Sequence, residues 1–191
     1  MLTHWVVMPT RLPLVLRRCH ACASERFRAD GKFRVNAHHK LIDAWLLALC
    51  TACGETTKLT VFERRNVRSV RPELLDRLHA NDPTLAAELL QDPVLRRRNR
   101  VAVDWGGAWR LDTGGSGHLD RDAIDAFDAT DVIDVSVRFA ARIPVRPVRL
   151  IAEGCGLSRA GVERLIEEGK AVSAIRLNGK VSGDFTFMLK R

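Results

Sequence analysis

The sequence predicts an α+β fold in three consecutive segments: a small antiparallel sheet within residues 1–72, a mixed acidic region over 73–142 and a small α/β module over 143–191. Three observations support this prediction. Two Cys-x-x-Cys pairs bracket strand-like stretches near the start, helical patterns that open with proline occupy the middle, and a helix–helix–strand–turn–strand pattern comes last.

The composition fits a soluble protein with a substantial core, because 46% of the 191 residues are hydrophobic and 28% are charged. No run of 18 apolar residues is present, which argues against a transmembrane helix. The first residues lack the basic leader and the continuous apolar stretch of a signal peptide. We therefore expect a cytoplasmic protein, in which stable disulfides are uncommon.

Four cysteines form the clearest motif. Cys19 and Cys22 make one pair, Cys50 and Cys53 make the other, and 27 residues separate the pairs. Two residues between the thiols let each turn present both sulfurs to one ion, and four thiolates complete the tetrahedral shell that structural Zn²⁺ prefers. The spacing therefore predicts one structural zinc ion.

Strand-like sequences surround these cysteines at residues 32–36, 41–49 and 57–63. Two metal-binding turns at the ends of a small antiparallel sheet constitute a zinc ribbon, which is the architecture that we expect for this segment. Because residues 41–49 are apolar at every position except Asp43, Trp45 is predicted to lie in the core of the ribbon.

Other uses of the cysteines fit less well. A redox Cys-x-x-Cys follows a strand and opens a helix, which neither pair does. A catalytic zinc site keeps one coordination position open for water, whereas four cysteines fill all the positions.

The nearby histidines are not expected to bind metal. His20, inside the first pair, is interpreted as a solvent-facing turn residue, although a histidine can replace a cysteine ligand. His38 and His39 are interpreted as a polar turn rather than as a second metal site.

Positive charge is concentrated in the first and last segments, and the net charge is +8. Residues 1–72 carry 13 basic and 5 acidic side chains, residues 73–142 carry 9 and 13, and residues 143–191 carry 9 and 5. Such a balance is compatible with nucleic-acid binding. Basic residues near the cysteines would also offset the negative charge of a four-thiolate site; they are Arg17, Arg18, Arg26, Arg28, Lys32, Arg34 and Lys40.

The middle segment begins with helical patterns. Leucines recur at helical spacing within residues 71–81, and Asp82 followed by Pro83 marks the start of a second helix. Pro93 is expected to end that helix. The basic residues that follow it are interpreted as a solvated helix exit.

The remainder of the middle segment is predicted to contain strands and an acidic helix. Residues 100–112 alternate around Gly106-Gly107, which predicts a β-hairpin. The glycine-rich loop 113–118 has no neighbouring basic residue for a phosphate. Residues 120–134 form an acidic helical pattern without the register of a calcium loop, and residues 132–139 are expected to form a strand.

The last segment has the sharpest pattern. A short helix begins at Pro147, and Ser158 caps a second helix. Residues 171–177 are expected to form a strand that Asn178-Gly179 turns tightly into a returning strand. Cys155 lies in the apolar stripe of the first helix and is interpreted as a buried residue rather than as a nucleophile.

This pattern over residues 144–183, with "LSRAGVERLIEEGKA" and "NGK", resembles the S-four-like RNA-binding module of pseudouridine synthases, tyrosyl-tRNA synthetases and ribosome-rescue factors. In that family the start of the second helix, its basic positions and the following turn face structured RNA. The resemblance therefore implies RNA contacts by Ser158, Arg159, Arg164, Lys170 and Lys180. Glu163, Glu167 and Glu168 in the same helix depart from the family pattern.

Nearly the whole sequence also resembles the bacterial domain-of-unknown-function family 1062. The shared stretches are "GKFRVN" at 31–36, "KLIDAWL" at 40–46 and "FER" at 62–64, together with the cysteine pairs and the last segment. This second resemblance implies no particular activity.

These features together predict a non-enzymatic zinc protein that binds structured RNA, of the ribosomal or transfer class, through its last segment. The alternative is a zinc-ribbon adaptor that binds a protein partner and no nucleic acid. Neither a membrane nor a small-molecule substrate is predicted as a partner, and the zinc motif of the nucleobase deaminases is absent from the sequence.

Overall fold

A computed structural model describes residues 2–114 and 132–190, and the fold is α+β. In chain order the elements are β1 (Leu2–Pro9), β2 (Leu14–Leu16), β3 (Arg26–His38), β4 (Leu41–Cys50), β5 (Thr56–Asn66), α1 (Pro72–His79), α2 (Pro83–Gln91), α3 (Pro93–Asn99), β6 (Ala102–Asp104), β7 (Trp109–Asp112), β8 (Val132–Phe139), α4 (Pro147–Gly154), α5 (Arg159–Glu167), β9 (Ala171–Ser173) and β10 (Phe185–Lys190). Within the described residues, no helix is long and apolar enough to cross a membrane.

The chain divides into two compact units rather than into three consecutive segments. Unit 1 contains Met1–Thr10 and Gly107–Arg191, and unit 2 contains Arg11–Gly106. This division differs from the predicted boundaries after residues 72 and 142, because β1 pairs with β7 and β8, which lie far later in the chain. Most of the predicted loop 113–118 and of the predicted acidic helix 120–134 falls outside the described residues.

Unit 2 is built on a five-stranded antiparallel sheet in the order β5–β4–β3–β2–β6. The three strands predicted at 32–36, 41–49 and 57–63 are confirmed as β3, β4 and β5, and each is longer than its sequence pattern indicated. The short strand β2 was not predicted. It adds to the sheet by pairing with β3 on one side and β6 on the other.

Helices α1 and α2 cover one face of this sheet. Every second residue of β4, from Ile42 to Cys50, is buried, and these side chains share two apolar clusters with Leu85 and Leu90 of α2. Successive side chains of a strand alternate between the two faces of a sheet. The remaining β4 side chains therefore lie on the opposite face, and none of them belongs to either cluster.

We name this opposite side of the unit 2 sheet the open face. It carries the half-buried Trp45, Leu47 and Leu49 of β4, and the exposed cations of the neighbouring strands. The prediction that Trp45 lies in the core is therefore wrong. An apolar run cannot show by itself which of its two faces is covered, and Trp45 shares its side of β4 with Asp43 rather than with Ala44 and Leu46.

Proline and aspartate set the helix boundaries of unit 2. The Asp82 carboxylate accepts the Thr84 N–H at 2.8 Å, and Pro83 is the first residue of α2. Asp92 then ends α2 and caps α3, since its carboxylate accepts the Val94 N–H at 2.8 Å. The basic residues that we interpreted as a helix exit form the last turn of α3, where cations favour the negative end of the helix dipole.

Side chains of α3 bond to the middle of the free edge of β5. The Asn99 side-chain amide accepts the Thr60 N–H at 2.6 Å and donates to the Thr60 carbonyl at 3.0 Å. Arg98 donates to the adjacent Val61 carbonyl at 2.6 Å. These bonds occupy backbone groups that an edge strand otherwise offers to another chain.

The predicted hairpin over residues 100–112 is wrong. β6 pairs with β2 in unit 2, whereas β7 pairs with β1 in unit 1. Gly106 and Gly107 therefore join two different sheets. Alternation of apolar and polar residues predicts strands, but it cannot identify the partner of each strand.

Unit 1 contains a sheet in the order β7–β1–β8–β10–β9, in which only the β1–β8 pair is parallel. The strand predicted at 132–139 is confirmed as β8. Strand β1 was not predicted, because prolines interrupt its neighbourhood, yet its residues Trp5 and Val7 are fully buried. The Trp5 and Phe187 rings meet edge to face, with centroids 5.4 Å apart.

The end of unit 1 differs from its sequence prediction in one respect. Strand β9 stops at Ser173, and it pairs with β10 across the long connection 174–184. Asn178-Gly179 therefore does not form a tight turn between paired strands. Val181 in the connection instead forms an isolated bridge with Val145, which holds the connection beside the entry to α4.

Helix α4 packs directly against Trp5 at Gly154. A Cβ atom at Gly154 would lie 2.3 Å from the Trp5 indole, which is far inside van der Waals contact. Glycine normally destabilises a helix by about 1 kcal/mol relative to alanine, so its presence here is explained by this close approach.

We expect Gly154→Ala to lower the free energy of unfolding by about 1–3 kcal/mol, because overpacking against a buried ring outweighs the gain in helix propensity. Gly183→Ala is the matched control, since a Cβ there meets no atom within 4 Å. Denaturant midpoints measure both. A midpoint for Gly154→Ala equal to or above the wild-type midpoint would contradict this packing.

Candidate metal centre

Pairing between β3 and β4 brings the two cysteine pairs together at one end of the unit 2 sheet. Cys19 and Cys22 lie in the turn that joins β2 to β3. Cys50 is the last residue of β4, directly opposite Phe27 of β3, and Cys53 lies in the turn before β5. Because neighbouring strands are about 4.8 Å apart, the two turns are adjacent.

The two turns repeat the same backbone hydrogen bonds. In the first, the Cys19 carbonyl accepts the Ala23 N–H at 3.1 Å; in the second, the Cys50 carbonyl accepts the Gly54 N–H at 3.0 Å. Ala23 and Gly54 both have positive φ, at 60° and 76°. The left-handed residue tightens each turn, so that both sulfurs of a pair face the same point.

The four sulfurs surround a single position. Cys19 Sγ lies 3.7 Å from Cys53 Sγ, and Cys22 Sγ lies 3.5 Å from Cys50 Sγ. All four ligand atoms lie within 4.8 Å of one another, so this cluster could hold a metal ion. Tetrahedral geometry with bonds of about 2.3 Å requires sulfur separations of about 3.8 Å. The observed distances between the pairs are close to this value.

The free thiols of the cluster differ in acidity. Hydrogen bonding from the Cys53 backbone lowers the pKa of Cys50 to about 6, against an opposing effect of burial. For Cys53, a hydrogen bond from the Glu55 backbone acts to lower the pKa. The neighbouring Cys22 thiol and desolvation act in the opposite direction and outweigh it, so the pKa of Cys53 is raised to about 12. Close thiols cannot all ionise without a cation between them, so metal binding must release protons.

The histidines near the cluster are not part of it. His20 is exposed, and the one group of candidate metal ligands among the described residues consists of the four cysteines alone. The His38 and His39 rings contact each other edge to face, with centroids 4.5 Å apart. They lie at the end of β3 away from Arg26, and therefore away from the turns that hold the cysteines.

The residues with predicted RNA contacts lie in unit 1, around α5. Ser158 is the N-cap, and its hydroxyl accepts the Gly161 N–H at 3.0 Å. Arg159 and Arg164 are exposed on α5, and Lys180 is exposed in the connection between β9 and β10. Five residues of helix separate the two arginines by about 140° around the axis. They therefore do not share one helix face.

Carboxylates lie close to several of these cations. The Lys170 ammonium is 3.0 Å from the Glu168 carboxylate, so this lysine already has a partner. Glu163 follows Arg159 by one helical turn, and Glu168 follows Arg164 by the same spacing. Charges four residues apart on a helix are neighbours. The surface of α5 is therefore mixed rather than uniformly basic.

The family described as "Protein of unknown function (DUF1062)" matches residues 35–176, which is more than half of the chain. The chain belongs to this family. The match includes Cys50 and Cys53 but begins after Cys19 and Cys22, so half of the cysteine cluster precedes it. No curated protein and no solved structure gives a significant match.

Sequence reasoning missed one further cluster in this family member. The open face brings Trp45 beside Arg34 and Lys58, although these residues are far apart in the sequence. The alternation of exposed and buried residues in β3 is the signal that would have placed its arginines on one face. Because residues 41–49 are apolar except at Asp43, the sequence does not show that Trp45 lies on the same face as these arginines.

We expect one equivalent of metal per chain in freshly reduced protein, and we expect Cys50→Ser to lose it. Structural four-thiolate sites contribute apparent binding energies of about 10–16 kcal/mol for zinc, so Cys50→Ser should also destabilise unit 2. Elemental analysis and thermal unfolding measure the two effects. Cys155→Ala is the control, because Cys155 is buried in unit 1. Less than half an equivalent in the wild type, or disulfides between the pairs, would contradict the site.

Proposed function

We propose that this protein is a non-enzymatic RNA-binding protein, in which a structural zinc ion stabilises unit 2 and the α4–α5 region of unit 1 contacts structured RNA. The zinc assignment is supported by the donor set. Four thiolates at the observed separations suit a tetrahedral ion, and they leave no coordination position for a substrate. The ion therefore has a structural role.

The cysteine turns support the zinc-ribbon interpretation. Each turn lies at the end of an antiparallel strand pair, and each has the same carbonyl–amide bond around its first cysteine. In unit 2 this ribbon is part of a larger sheet rather than a separate domain, since β2, β3, β4 and β5 are all members of the five-stranded sheet.

The observation that carries the RNA proposal is the exposed start of α5. The apolar residues of the helix pair, including Ile151 and Val162, are buried, whereas Arg159 and Arg164 remain exposed. A helix N-terminus with a guanidinium beside it favours phosphate. The same residues carry the resemblance to the S-four-like module. Lys170 contributes less than that resemblance implies, because Glu168 already pairs with it.

Two features support a non-enzymatic role. Burial raises the pKa of the Cys155 thiol to about 12, which keeps it protonated and unreactive. A cleft of about 420 Å³ beside β8 and β10 contains Ser173 and Asp184. However, the Ser173 hydroxyl donates to the Thr186 carbonyl, and the Asp184 carboxylate accepts the Phe139 N–H at 2.8 Å. These polar groups hold the sheet together.

The adaptor alternative would use the exposed edge of the ribbon and the acidic middle segment. A ribbon that recruits a protein by strand addition needs a free edge, but side chains of α3 occupy the β5 edge at Thr60 and Val61. These bonds leave fewer backbone groups of this edge for strand addition by a protein partner.

We expect the double variant Arg159→Ala/Lys180→Ala to bind a labelled RNA hairpin more weakly than the wild type. Loss of two phosphate contacts should flatten the slope of log affinity against log salt by about 1.4–1.8. The loss should be similar for unrelated hairpins, because phosphate contacts carry no sequence information. Anisotropy titrations at several salt concentrations measure affinity and slope.

The matched control is Arg97→Ala/Lys40→Ala, which removes the same charge from exposed positions of unit 2. Both double variants should keep the wild-type stability, since all four side chains are exposed. If the Arg159→Ala/Lys180→Ala protein shows the affinity and slope of the wild type, the α5 surface is not the RNA site.

A further inference from the structure

We propose that the open face of unit 2 is a second nucleic-acid site, which binds single-stranded RNA or DNA by stacking a base on Trp45 and by binding the adjoining phosphates with Arg28, Arg34 and Lys58. This site uses none of the residues on which the proposed function rests. The two sites also take different forms of nucleic acid, because a base must be unstacked before it can stack on the Trp45 ring.

Strand register places the cations beside the apolar surface. Arg34 of β3 is directly opposite Trp45, Lys58 of β5 is directly opposite Leu47, and Arg28 of β3 is directly opposite Leu49. Residues directly opposite each other in antiparallel strands have Cβ atoms about 4.5–5.5 Å apart and lie on the same face. The open face therefore has a central apolar stripe along β4 with a cation beside each member.

These cations are available for a ligand. In the part of the chain that the structure describes, Arg28, Arg34 and Lys58 form no ion pair with a carboxylate, whereas Lys170 does pair with Glu168. Two carboxylates beside the stripe accept hydrogen bonds rather than pairing with these cations. Glu63 accepts the Trp45 indole N–H at 3.3 Å, and Asp43 accepts the Arg64 backbone N–H at 2.6 Å.

The indole is held in position before any ligand arrives. Its N–H bond to Glu63 sets the direction of the ring, and the Lys58 ammonium lies over the ring, 5.2 Å from its centroid. A lysine ammonium on a flexible stem can leave the ring for a phosphate, and the exposed ring surface can then accept a base. A guanidinium or ammonium beside a stacked base adds a further cation–π contribution.

Charge favours a nucleic acid over a protein as the occupant. Protein–protein interfaces are enriched in aromatic residues and arginine, but they are depleted in lysine, and their centre is depleted in charge. The open face instead places beside each apolar residue of the stripe a cation that has no carboxylate partner among the described residues. An aromatic platform within a basic surface is the usual arrangement of sites for single strands.

The test uses the full-length, metal-loaded protein and a ten-nucleotide oligouridine. Trp5, Trp105 and Trp109 are buried, at 0%, 4% and 8% exposure, so Trp45 is the one partly exposed tryptophan of the four. Stacking of a base on Trp45 should quench part of the intrinsic fluorescence and should leave the buried fraction unchanged. Binding is measured independently by the anisotropy of a labelled oligouridine.

We expect Trp45→Leu to weaken binding by about 5- to 150-fold, which is the range for loss of one base–aromatic stack. Trp45→Phe is the conservative control and should remain within a few-fold of the wild type. Arg34→Ala/Lys58→Ala, which changes only exposed side chains, should flatten the salt slope by about 1.4. Arg97→Ala/Lys40→Ala should change neither quantity.

Binding of the oligouridine without quenching of the tryptophan fluorescence would overturn the proposal. Wild-type affinity in both Trp45→Leu and Arg34→Ala/Lys58→Ala would also overturn it. No binding at low salt would also overturn it and would leave the open face to a protein partner. The variant Arg159→Ala/Lys180→Ala should bind the oligouridine as the wild type does. Failure of this site and failure of the hairpin site on α5 are therefore distinguishable.

Discussion

Pairing between β3 and β4 is the constraint on which the rest of unit 2 depends. Its register places Cys50 opposite Phe27, which brings the two cysteine turns to one end of the sheet. The same register places Arg34 opposite Trp45 at mid-sheet. A slip of one residue would move every β4 side chain to the other face. The cysteine cluster and the helix-covered core therefore require the same register, since Cys50 belongs to both.

The two surfaces that carry our proposals use charge differently. On α5 the cations alternate with glutamates along one helix, and one lysine has a carboxylate partner. On the open face the cations belong to different strands and flank an apolar stripe. The cations of α5 can contact the phosphates of a folded RNA, whose bases are inaccessible, but the glutamates among them weaken this attraction. A basic surface with a partly exposed aromatic ring suits bases that are already unstacked.

The sequence predicted those features that local chemistry determines. The cysteine cluster, strands β3 to β5 and β8, and the helix starts at Pro83 and Pro147 each depend on residue types at short spacing. The errors involve long-range choices. The strands around Gly106-Gly107 have partners in different sheets, β1 finds its partners after residue 108, and Trp45 lies on the uncovered side of β4. Local periodicity indicates that a strand exists, but tertiary packing decides its neighbours and its covered face.

The interruption of unit 1 by unit 2 has a consequence during biosynthesis. Leu2 pairs with Asp134 in the β1–β8 ladder, so β1 is made about 130 residues before that partner. At about 5–20 residues per second, the delay is roughly 7–26 s. All of unit 2 is synthesised in that interval, and β7, the other strand that pairs with β1, follows only after it. Until then Trp5 and Val7, which are fully buried in the finished sheet, have no partner strand. Strand β1 is therefore the segment of the nascent chain that a ribosome-associated chaperone would have to protect.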